Sequence, residues 1–345
     1  MPRLVDNQAA RLCTLGVSLG VVLSVAWAGM STLFGSYAQT PYVSAEVDGG
    51  TIAAPALAVA DTAASGGGAV RFSPAIVTVP PPPGHNCTTF PALPSVMPDA
   101  SNTGVPAGTS LTAAAKITAN TAGATIAGMN VTGGIVVTAN NVTIKNSRIT
   151  TGGYYGIEIK DGVTGTKIIN NEIYTTNGGY VGFTGGDAIL CGNYVHGWEN
   201  AMTPGGNVII QNNYIDRLQS NQSTPHYDGI EVYYNSNIKI WGNTIKLTSP
   251  SDAWLGDTGA VNVAPYNGNV DNVEINGNWL GGGSYTLYVD EQNGYNATNV
   301  KITNNTWYGT PPAGRAAYGP LTIRDAGSVT TFSGNKWENG TAISR

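Results

Sequence analysis

Eight times between Asn141 and Trp337 the chain repeats one short frame: an apolar residue, an Asn three positions later, and a second apolar residue two beyond that. The copies run Ile144…Ser147…Ile149, Ile168…Asn171…Ile173, Leu190…Asn193…Val195, Ile210…Asn213…Ile215, Ile240…Asn243…Ile245, Ile275…Asn278…Leu280, Ile302…Asn305…Trp307 and Phe332…Asn335…Trp337. Ser147 holds the Asn position in the first copy, and the column then advances by 24, 22, 20, 30, 35, 27 and 30 residues. Periods in this range mark stacked supersecondary units, each unable to bury its own apolar face alone.

Within each copy, apolar and polar residues alternate before the column, the period of a strand with one face inward. Ile144, Ile168, Leu190, Ile210, Ile240, Ile275, Ile302 and Phe332 are therefore expected to form one interior stack. The Asn or Gly just before the column tolerates a left-handed backbone, so each copy turns a corner there. A second strand recurs upstream of the column: Ile157-Glu158-Ile159, Val181-Gly182-Phe183, Ile230-Glu231-Val232, Val261-Asn262-Val263, Leu287-Tyr288-Val289 and Leu321-Thr322-Ile323. Their outer residues are expected inside and the middle ones outside, in an outward row of Glu158, Gly182, Met202, Glu231, Asn262, Tyr288 and Thr322. The 46 Gly and only 11% charged residues fit many short strands joined by tight turns. The fold class expected is all-β, a single-stranded parallel β-helix of about 8–10 rungs, with rungs roughly 4.8 Å apart.

Upstream the organisation changes. Arg3 and Arg11 precede an apolar stretch from about Leu15 to Leu33, with Ala26-Trp27-Ala28 at a signal-peptidase spacing. Residues 1–38 are read as a signal peptide or, if uncleaved, a membrane anchor, so the chain is expected secreted or held at the cell surface. Residues 39–94 read as an Ala/Gly/Pro-rich linker, with Gly66-Gly67-Gly68 and Pro80 to Pro83, and 95–345 as the β-helix domain. Cys87 and Cys191 are an even pair suited to an oxidising compartment, whether bridged or free. A net charge of −5 with 16 Lys+Arg offers no basic face for nucleic acid.

With these repeats, and with Pro98-Asp99-Ala100-Ser101-Asn102-Thr103-Gly104-Val105-Pro106-Ala107-Gly108 ahead of them, the chain resembles the right-handed parallel β-helix proteins of the pectate-lyase-like superfamily, in the form found in actinobacteria and their phages. The resemblance covers about 95–345. It implies a right-handed helix and leaves activity open, since the superfamily includes lyases, hydrolases, epimerases and non-catalytic binding or tail proteins.

One outward sheet face of such a solenoid makes a groove suited to an extended polysaccharide or surface glycan. The densest cluster of reactive side chains is His226-Tyr227-Asp228-Gly229-Ile230-Glu231-Val232-Tyr233. Alignment of the repeats sets Asp257 beside His226 and Asn262 beside Glu231, and it ends the outward row of Tyr233 with Asp290 and Arg324. The candidate catalytic residues are thus His226, Asp228, Glu231, Asp257 and Arg324, with Glu158, Tyr233, Asn262, Tyr288 and Asp290 expected to bind substrate. In a hydrolase, Asp228 or Glu231 would be the general acid, a second carboxylate the base, and His226 would orient one of them. A lyase would instead draw its base from Arg217, Arg324 or Lys160 and could hold Ca²⁺ on Asp228, Glu231 and Asp257. A non-catalytic glycan-binding, adhesin or tail-type module needs only the groove. His196-Gly197-Trp198-Glu199 could reach the same groove through the turn before Met202 but is expected to be an ordered loop with a covering Trp, and Asp187 a turn residue in the column of Asn141, Asn207, Asn237, Asn272 and Asn299.

Overall fold

The computed structural model describes residues 56–60, 68–72, 85, 87–325 and 327–345; the apolar segment within 1–38 lies outside them. Two compact units divide at Thr78 and Val79. In the first, Ala56–Ala60 and Gly68–Phe72 pair antiparallel within the stretch read as linker. In the second, every strand-to-strand ladder is parallel, and among the described residues there is no α-helix.

The parallel strands form a three-sided β-helix. The first face stacks the nine strands that precede the Asn column, from Thr125–Ala127 to Val329–Ser333. The second face begins just after the column and runs from Thr112–Ala114 to Lys336–Trp337. Nine successive pairings on it define ten turns, about 43 Å of stacked strands at ~4.8 Å per step. The third face runs from Ile117–Ala119 to Gly319–Ile323. On the turns of Glu172–Gly185 and Tyr194–Pro204 one long strand continues from the second face into the third, so the two faces join there.

The interior is the expected stack. Ile144, Ile168, Leu190, Ile210, Ile240, Ile275 and Ile302 are in register on the first face and fully buried. At the corner, the residue before each column position has positive φ: Asn146, Asn170, Gly192, Asn212, Gly242, Gly277, Asn304 and Gly334. The column itself is buried and hydrogen-bonded along the axis. Asn243 donates Nδ2–H to Asn278 Oδ1 at 3.0 Å and to the Ile210 carbonyl at 2.9 Å, while its own Oδ1 accepts from Asn213 N at 3.0 Å and Asn213 Nδ2 at 2.9 Å. Seven Asn side chains thereby satisfy backbone groups that the corner would otherwise leave unpaired inside the protein. A second, exposed ladder links Asn207 to Asp187, Asn237 to Asn207 and Asn272 to Asn237. Asp187 has φ of 49° and occupies that turn column, the place expected for it.

The stretch just ahead of the helix is a strap. Cys87 is bonded to Cys191, Gln211 holds the Thr89 carbonyl and the Ala92 amide at 3.1 and 3.0 Å, and Tyr308 donates to Met97 Sδ at 3.4 Å. Pro94 and Leu93 fill the space where a Cβ on Gly242 or Gly277 would stand, 2.3 and 2.5 Å away. Residues 87–94, read from composition as the end of a linker, therefore belong to the folded unit.

Register corrects one sequence alignment. Ile157 pairs with Phe183, Phe183 with Met202, Met202 with Ile230 and Ile230 with Val261, so Met202 is interior and Thr184 and Thr203, not Gly182 and Met202, carry on the outward row of Glu158. The extra residue is Gly156, Gly182, Ala201, Gly229 or Ala260 at the bend into the third face. A Cβ on Gly229 would stand 2.4 Å from both Ile245 Cγ2 and the Ala260 carbonyl, so the bend accepts only small residues.

Candidate functional site

The outward side of the third face is a trough. Its deepest part, about 420 Å³, is lined by Tyr180, Glu199, Asn200, His226, Asp228, Glu231, Tyr233, Thr258, Asn262, Tyr266 and Asn267. Three turns of the helix supply its floor. Asn200 pairs with Asp228, and Glu231 pairs with Asn262, so polar side chains from successive rungs stack where the core columns would otherwise alternate with solvent.

The floor is buried and acidic. Asp228 is fully buried, and Glu199, Asn200, Glu231 and Asn262 are each at most 5% exposed. Asp228 and Glu231 lie three residues apart on one strand, Asp228–Val232, and both carboxyls open onto the same hollow. Asn200 Nδ2 donates to Glu231 Oε2 at 2.8 Å, the Tyr233 hydroxyl reaches the same carboxyl, and the Gly259 amide points at Asp228. Glu199 is held by the Ser220 hydroxyl and, at 3.2 Å, by the His226 amide.

Burial pushes the Glu231 carboxyl up to about 7, against the lowering effect of the Tyr233 hydroxyl and with a further push from Glu199. Burial likewise drives Asp228 well above the usual carboxylate range, and the Glu231 charge drives it further. Two carboxyls in one buried site cannot both ionise cheaply, so the pair retains a proton into the neutral range. Asn200 Oδ1, Thr258 Oγ1 and Asn262 Oδ1 line the same hollow, are buried, and have no hydrogen-bond partner. Orphaned buried oxygens cost roughly 1–3 kcal/mol each, and these three offer acceptors to a polar group entering the hollow.

Of the residues expected here, His226, Asp228, Glu231, Tyr233 and Asn262 are brought together. His226 stands exposed at the lip, and its backbone amide, not its ring, meets a carboxylate. Tyr288 continues the row beyond Asn262, its hydroxyl accepting from the Tyr285 amide at 3.2 Å. Glu158 begins the same row at the other end and pairs with Lys160. Asp257 and Arg324 are not in the hollow. Asp257 sits exposed on the loop before Thr258, and Arg324 is exposed and spent on Asp290 at 2.8 Å, at the C-terminal end of the face. Arg217 lies on the second face against Asp216 and Tyr194. No Lys or Arg lines the deep hollow. Among the described residues no three His, Cys, Asp or Glu side chains converge to hold a metal ion, so Asp228, Glu231 and Asp257 do not form the set considered for Ca²⁺.

Sequence reasoning underrated Glu199 and missed Asn200, Tyr180, Thr258 and Tyr266. The segment His196 to Glu199 is not a loop but part of the strand Tyr194–Pro204. It leaves His196 on the second face, 3.1 Å from Glu172, and carries Glu199 round the bend into the hollow. Placing Met202 inward would have aligned Asn200 with Asp228 and exposed the signal.

Residues 112–267 match the family model for the right handed beta helix region, a span that ends on the last residue lining the hollow. No curated protein matches the chain.

Proposed function

We propose that this right-handed parallel β-helix repeat protein is an exported glycoside hydrolase that cleaves an extracellular polysaccharide laid along its third face. One observation carries the reading: Asp228 and Glu231 are buried side by side in an open trough with Glu231 raised to about 7. A glycosidic oxygen is a poor leaving group until it is protonated, and a carboxyl still protonated near neutral pH is the acid for that task. The pair donates its proton to the departing oxygen. Glu199, reaching in from the preceding rung and held by Ser220 and the His226 amide, is the second carboxylate that hydrolysis requires. Asn200, Thr258 and Asn262 offer oxygens to sugar hydroxyls. The lyase alternative is less well supported, because Arg324 and Arg217 lie away from the trough and Lys160, in the adjoining hollow, is held by Glu158.

The disulfide between Cys87 and Cys191 supports export, since such bonds persist in oxidising compartments. The test is a polysaccharide panel given to the purified protein, following reducing ends and the absorbance of unsaturated uronates in parallel. New reducing ends without absorbance, abolished in Glu231→Gln, are the expected result. Absorbance would make it a lyase, and binding without any new ends would leave a glycan-binding module.

A further inference from the structure

The trough does not stop at the carboxyl pair. A hollow of about 540 Å³ adjoins the deep one, sharing Tyr180 and Tyr233 with it, and a third of about 230 Å³ shares Tyr154, Tyr155 and Glu158 with the second. Together they follow the outward row from Val136 through Glu158, Thr184, Thr203 and Glu231 to Asn262, five steps or about 24 Å at ~4.8 Å per rung. The run lies on the N-terminal side of the carboxyl pair.

Two features of this extension name its ligand. The first is aromatic. Tyr154 is 53% exposed and Tyr234 48% exposed, and both line the second hollow. Tyr154 packs on Tyr180 with ring centroids 4.3 Å apart and on Tyr155 at 4.6 Å, so the rings are held in place while their outer surfaces stay open to the trough. Preorganised rings beside hydroxyl and amide groups suit the apolar face of a pyranose. The second feature is charge. Glu158, Asp161, Asp187, Glu199, Asp228 and Glu231 line the three hollows, against Lys116 and Lys160; with Glu158 paired to Lys160 and a proton kept by the Asp228–Glu231 pair, Asp161, Asp187 and Glu199 still outweigh Lys116. A polymer with a carboxylate on every sugar would meet like charge along its length.

We infer that the Tyr154, Tyr155, Tyr180 and Tyr234 hollow is a stacking subsite for an uncharged polysaccharide, threaded so that the bond to be cut lies at its C-terminal end. The inference names the substrate class of the hydrolytic site and so rests on that reading, but it makes a separate claim about binding. Titration calorimetry on the full chain carrying Glu231→Gln, repeated with Asp228→Asn, tests it with hexamers of uncharged β-1,4-glucan, β-1,3-glucan and mannan, and of galacturonate. At least one uncharged hexamer should bind and the galacturonate hexamer should not. Adding Tyr154→Ala should weaken the bound hexamer about three- to tenfold while leaving its disaccharide unaffected. Galacturonate binding equal to or tighter than that of the uncharged hexamers, no binding of any uncharged hexamer, or a hexamer indifferent to Tyr154→Ala would overturn the inference. Binding with these properties but no hydrolysis by the unsubstituted chain would sink the catalytic reading alone.

Discussion

Glu231 makes two separable predictions, because the same burial that suits it to proton donation costs stability when it ionises. Its carboxyl titrates near 4.5 when free in an unfolded chain and at about 7 in place. Between those values the folded state holds the extra proton. The associated stability is present in full below about pH 4.5 and is lost as the pH rises through about 7. Glu231→Gln removes the charged form, so the variant should flatten the pH dependence of the melting temperature in this window and melt several degrees higher than the parent at pH 8. On the proposed function, its production of reducing ends should fall roughly 10²- to 10⁴-fold. Thermal melts from pH 4 to 8 check the first outcome; an unchanged profile would mean that the carboxyl is not the titrating group. Asp228, Glu231 and Tyr233 were legible in the sequence because they break a repeat whose other outward positions are mostly Thr, Asn and Lys. Asp257 and Arg324 were not correctly assigned, since a shared column says which side chains leave the same face and not whether a loop then turns away or a neighbour such as Asp290 captures the charge.

At the scale of the element, the Asn corner and the small-residue bend do different work and should fail differently. Asn243→Ala removes the side-chain partners of Asn213 N and the Ile210 carbonyl inside the core, and one of the three acceptors of Asn213 Nδ2. With buried orphans costing roughly 1–3 kcal/mol each, the loss should be about 3 kcal/mol or more. Asn243→Asp preserves shape but cannot donate to Ile210 O or Asn278 Oδ1, so it should be no better than Ala; urea midpoints compare the two. A nearly neutral Asp would show that the ladder is held by shape and not by the amide hydrogens. Gly229→Ala should cost about 1–3 kcal/mol by overpacking against Ile245 and the Ala260 carbonyl, and it should lower activity by displacing Asp228 and Glu231, although Gly229 lines no hollow. The corner was readable because one Asn per turn is a strong periodic mark. The bend was not, because Gly182 and Ala201 fit an alternating strand as well as they fit a bend, and a slip of one residue there inverted the assignment of Met202.

Across the whole molecule, the strap and the trough lie on different parts of the solenoid, which makes the disulfide a test of how far stability and activity separate. The bond joins residues 104 apart, and closing a loop of that size in the unfolded chain is worth on the order of 4 kcal/mol. The strap also covers the corner at Gly192, Gly242 and Gly277 through Cys87, Pro94 and Leu93, contacts that the bond anchors at one end. Neither Cys87 nor Cys191 lines the trough. Replacing both cysteines by Ser should therefore lower the urea midpoint and open the stretch from 87 to 98 to limited proteolysis, while reducing-end production at 25 °C stays within about twofold of the parent. Mass analysis of the first proteolytic fragments checks where the chain opens. Cleavage within the third face instead, or a parallel collapse of activity, would mean that the turns of the helix share their stability over the whole stack and that the strap helps to shape the trough. A solenoid in which each turn contacts chiefly its neighbours favours the separable outcome.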